Sequence, residues 1–63
     1  MELYIVTEND DIGAIVDGFE KAKVLCEQLG YTRVIKFKLN QLSPLKQWIY
    51  DEYYKKWEEF NCD

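Results

Sequence analysis

Glu8-Asn9-Asp10-Asp11 is the densest run of oxygen donors in the chain. Carboxylates and an amide so close together could attract a hard cation, which takes oxygen ligands. The run lacks the alternating ligand pattern of an EF-hand loop and reads instead as a hairpin turn, because Asn and Asp tolerate tight backbone geometry. Nucleophile candidates are few. Ser43 is the only serine, and with Pro44 after it stands where a helix cap belongs. Cys26 recurs with apolar neighbours at helical spacing and reads as core, since free Cys packs as a small hydrophobe. Cys62 has no neighbouring basic cluster to lower its pKa. The chain has no histidine, which removes the usual general base and the commonest transition-metal ligand. Neither GxGxxG nor a P-loop occurs, and Gly13 reads as a bulge or a close backbone contact. These observations lead to the expectation of a protein that is not an enzyme, with no catalytic residue, metal site or cofactor.

Arg33, Lys36 and Lys38, with Tyr31 nearby, could bind single-stranded nucleic acid. A net charge of −4 argues against it and against anionic membranes, because phosphate binding runs on Lys and Arg. The same charge permits a basic protein partner. At 63 residues the chain is expected to form one domain with a marginal core, residues 1–63 together. No apolar run reaches membrane-span length. Met1-Glu2 leads straight into LYIVT with no basic region ahead of it, and two cysteines make no disulfide framework, so a cytoplasmic protein with reduced thiols is expected.

The elements that must position these residues read as β-β-α-β-α. ELYIVT (2–7) is rich in β-branched and aromatic residues and predicts a strand. ENDD turns the chain into a second strand, IGAIV (12–16). Asp17-Gly18-Phe19-Glu20 has the form of a capping box, and Gly30 that of a helix stop. Between them Phe19, Ala22, Leu25, Cys26 and Leu29 share one helical stripe. YTRVIKFKL (31–39) alternates, with Ile35, Phe37 and Leu39 on one face and Lys36 and Lys38 on the other. Asn40-Gln41-Leu42 connects to a second helix over about 44–60, begun by Ser43-Pro44. A right-handed crossover then gives an α+β fold, ββαβα, in which a three-stranded antiparallel sheet of order 2-1-3 packs with two helices.

That second helix carries a surplus of aromatic side chains. With Leu45 at 0° and about 100° per residue, Ile49, Phe60, Tyr53, Trp57, Tyr50 and Tyr54 span roughly 180°, against the ~100° that docking on a sheet needs. Trp48 falls apart from them at about 300°, among Asp51, Lys55 and Glu59. Leu45, Ile49, Tyr53 and Phe60 suffice to dock the helix. Trp48, Tyr50, Tyr54 and Trp57 are then either oversized packing or anchors of a protein interface, where Tyr and Trp are favoured. Asp51, Glu52, Glu58, Glu59 and Asp63 would form the polar rim of such an interface, and Asp51–Lys55 and Glu52–Lys56 would pair along the helix. If both helices cover one face, Tyr4, Val6, Ile15 and Val34 lie bare and invite self-association. If the helices lie on opposite faces, the sheet is covered.

Tyr4, Ile5 and Val6 in the first strand, with Phe19, Lys21 and Ala22 in the first helix, resemble the opening of many short phage-encoded proteins. The whole chain, short, acidic and aromatic, resembles phage inhibitors of host or defence proteins, including anti-CRISPR-type proteins. The resemblance implies a non-catalytic module that blocks a bacterial protein by surface occlusion, in the host cytoplasm. The candidate partner-binding residues are Trp48, Tyr50, Tyr54, Trp57, Asp51 and Glu58. The alternative is a homo-oligomeric structural or regulatory protein, a homodimer for example, that associates through the same aromatic helix or the open sheet face.

Overall fold

The structure, a computed structural model, describes residues 2–38, 40 and 44–61. The first half follows the sequence pattern. β1 (Glu2–Glu8) and β2 (Asp11–Val16) form an antiparallel hairpin. Asn9 takes a left-handed φ of 53° at its turn, and the Thr7 hydroxyl donates to the Asp11 carbonyl at 2.6 Å. The register shifts between Val6 and Thr7, opposite Gly13. A Cβ on Gly13 would lie 2.5 Å from a Tyr31 ring carbon, so the close approach requires glycine.

Helix α1 (Phe19–Leu29) starts at Gly18 with no side-chain cap. The capping box expected at Asp17 and Glu20 is not formed, and Asp17 instead accepts from Lys21 at 2.9 Å. The helix ends at Gly30, whose left-handed φ of 76° lets its N–H reach the Cys26 carbonyl. β3 (Arg33–Lys38) returns antiparallel to β1.

From here the structure overturns the expected fold. Residues 44–60 form no helix. β4 (Lys46–Asp51) and β5 (Lys56–Asn61) make a second hairpin that extends the sheet beyond β3. The described residues hold one five-stranded antiparallel sheet, order β2-β1-β3-β4-β5, and a single helix. The expected run 2-1-3 survives as one end of it, but β3, not β1, is central. Asp51 explains the turn. Its Oδ1 accepts the backbone N–H groups of Tyr53 (2.9 Å) and Tyr54 (3.2 Å), and Lys55 takes φ 55°. Such Asx geometry competes directly with helix continuation. The expected pairs Asp51–Lys55 and Glu52–Lys56 are absent from the ion pairs of the described residues, while Lys46 reaches Glu59 across the hairpin at 3.4 Å. The expected roles of Ser43 as a cap, of Leu39 on the strand face, of the Gln41-Leu42 connection, and of Cys62 and Asp63 fall outside the described residues.

Helix α1 packs on one face of β2, β1 and β3. Val6, Ala22, Cys26 and Val34 form the buried centre, and Tyr4, Ala14, Val16, Phe19, Leu25, Tyr31, Trp48 and Trp57 close around it. Tyr4, Val6 and Val34 therefore lie under the helix, not on a bare face.

Candidate functional site

Period-two alternation decides where the aromatic side chains go. Val6 pairs with Val34 and Val34 with Trp48, so Trp48 is on the helix side. Tyr50 and its cross-strand partner Trp57 lie on that side too. Phe19 of α1 sits at their centre, with ring centroids 4.4 Å from Trp48 and 6.2 Å from Trp57. Trp48 also lies 5.9 Å from Tyr4, and its indole N–H donates to Glu59 at 3.0 Å. Tyr50 and Trp57 stand 5.3 Å apart, centroid to centroid.

The helix covers the first three strands and stops short of the second hairpin. A groove of about 540 Å³ runs between them, its walls formed by Tyr31, Tyr50, Trp57, Val24 and, at the bottom, Cys26. Glu20, Glu27 and Glu52 border it, with Lys23 as the one cation among the described residues. Lys23 is engaged by Glu20 at 3.3 Å and lies 5.1 Å from the Phe19 ring centroid. At the hairpin tip beyond the groove, Tyr53 and Tyr54 pack edge to face at 4.9 Å and are 86% and 67% exposed.

The groove bottom is held by polar contacts. Thr32 donates to Glu8 Oε2 through its backbone N–H (2.8 Å) and its hydroxyl (2.7 Å), tying the β1–β2 turn to the start of β3. These bonds, with the Arg33 charge, hold the Glu8 carboxyl below its ordinary pKa. Tyr50 N–H donates to the Thr32 carbonyl at 2.8 Å and joins the second hairpin to the same point. Burial and the nearby Glu8 charge push the Cys26 thiol up to about 11. The thiol bordering the groove is thus protonated at neutral pH and is no activated nucleophile. The groove offers aromatic faces and negative charge, which suits binding.

Of the six residues singled out in the sequence, Tyr50 and Trp57 line the groove, Asp51 and Tyr54 build the tip, and Trp48 is half-buried against Phe19. Glu58 points to the opposite face, beside Ile49. Sequence reasoning did not bring Glu20, Glu27 and Tyr31 to this place. Glu20 and Glu27 are seven positions apart in α1, beside the core stripe, and that spacing was the available signal.

The opposite face of the sheet carries no element among the described residues. The paired registers set Ile15, Ile5, Ile35, Gln47 and Phe60 in one row across all five strands, with Leu3 and Phe37 beside it and Ile49 between Arg33 and Glu58. Ile15 is 57% and Phe60 42% exposed. No helix of the described residues is long and apolar enough to cross a membrane. Comparison with known protein families, with curated proteins and with solved structures gives no match.

Proposed function

We propose that the protein is a small non-catalytic protein-binding module, a phage-type inhibitor that occludes the surface of a bacterial host or defence protein. The observation that carries this reading is the groove beside α1, where Tyr31, Tyr50 and Trp57 meet Glu20, Glu27 and Glu52, with Tyr53 and Tyr54 projecting beyond it. Aromatic anchors inside a charged rim are the usual anatomy of a protein interface. The partner surface is basic, since three carboxylates face one cation that is already paired. Charge attraction of this kind mainly raises the association rate. The contact comes from the β4–β5 hairpin and α1, replacing the C-terminal helix expected from sequence.

The test is capture from bacterial lysate with three baits: wild type, Glu27→Lys/Glu52→Lys and Ile15→Lys. One protein is expected to be held near stoichiometrically by wild type and by Ile15→Lys, and lost by the charge-reversed bait. Capture that is indifferent to charge reversal overturns it. A second reading, a homo-oligomeric structural or regulatory protein, is favoured by the uncovered apolar face.

A further inference from the structure

We infer that the uncovered sheet face seats a second copy of this chain, face to face, with β3 over β3 near a two-fold axis through Ile35. Three observations carry it. The first is extent. Five strands spaced ~4.8 Å and about six residues rising ~3.3 Å each give roughly 24 × 20 Å, about 480 Å² per copy before side-chain relief is counted. Two copies bury about 1,000 Å², the size of a weak, reversible interface.

The second is charge. The chain carries −4, yet the charged residues that alternation places on this face are Arg33, Asp51, Lys56 and Glu58, two of each sign. The excess negative charge lies elsewhere, so two acidic copies meet here without net repulsion. Arg33 and Glu58 belong to none of the ion pairs of the described residues. Both flank Ile49 at the margin of the apolar row.

The third is position. Ile35 is in the middle strand of five and in the middle of the row Ile15–Ile5–Ile35–Gln47–Phe60. A two-fold axis there makes the row self-complementary, as an isologous interface requires. Two sheets so stacked would lie ~10 Å apart as an aligned sandwich. The groove beside α1 is on the other face and stays open, so the pair presents two grooves pointing outward.

The test is sedimentation of the whole chain over a broad concentration range, with far-UV circular dichroism to verify folding. Wild type is expected to sediment as twice 7.6 kDa. Ile15→Lys and Phe60→Lys, at sites already part-exposed, are expected to keep the fold and weaken the pair at least about thirtyfold. A wild-type monomer at every concentration overturns the proposal. So does a dimer that survives Phe60→Lys, because pairing through the β2 edge would be blind to a residue on β5. These readouts need no partner protein, so the dimer can fail while the groove reading stands, and the reverse.

Discussion

Phe19 and Trp48 meet at 4.4 Å between ring centroids, and this contact joins the start of α1 to β4 across a sheet whose first three strands the helix otherwise covers. Trp57 reaches the same phenylalanine at 6.2 Å from β5. The second hairpin is thus tied to the core by its aromatic side chains. Trp48→Ala is expected to cost about 2–3 kcal/mol, less than a fully buried Trp because Trp48 is only half-buried. Tyr53→Ala, at the solvated tip, should change stability by under about 0.5 kcal/mol. Urea unfolding of both variants checks this; equal losses would contradict the assignment.

Glu8 predicts an acid limb. Its folded pKa lies below the ordinary 4.5 because Thr32 bonds its carboxylate. A lowered folded pKa gives stability that is present above the unfolded value and lost as pH falls through the folded one. Wild type should therefore lose stability below about pH 4.5, and Glu8→Gln should flatten that slope. Asp17, lowered by Lys21, leaves a residual slope in the variant. Denaturant midpoints against pH for the two proteins measure the difference.

Cys26 predicts an alkaline limb of opposite sense. The thiol's ordinary value is 9.0 and burial moves it to about 11. Above the unfolded value the unfolded chain gives up its proton while the folded chain keeps it, so stability falls as pH rises from 9 towards 11. Cys26→Ala should be less stable at neutral pH, with a shallower alkaline decline. Alkylation of Cys26 in the folded protein should be much slower than after unfolding, read by mass spectrometry.

Much of the first half was legible because local signals and packing agree there: β-branched strands, an Asn-Asp turn, a glycine stop and one apolar stripe of ordinary width. The second half misled because Ser43-Pro44 resembles a helix start and Leu45, Ile49, Tyr53 and Phe60 fit a helical arc. Two features argued otherwise. The arc was far too wide for one docking stripe. Trp48 and Trp57 stood on opposite sides of the imagined helix, yet they lie on one side of the hairpin and share Phe19. The aromatic and β-branched run Trp48-Ile49-Tyr50 was the strand signal, and the Asp51 side chain was the turn. The groove was not legible, because Glu27, Tyr31, Tyr50 and Trp57 come together only once the sheet has five strands.

Calorimetric titration of the captured protein decides whether the groove and the hairpin tip form the binding surface. Wild type is compared with Tyr53→Ala/Tyr54→Ala and with Glu27→Lys/Glu52→Lys, each first shown to be folded. Each double variant is expected to bind at least about tenfold more weakly, as loss of interface anchors and of a charged rim implies. Unchanged affinity in both would contradict it and return these side chains to packing and solvation.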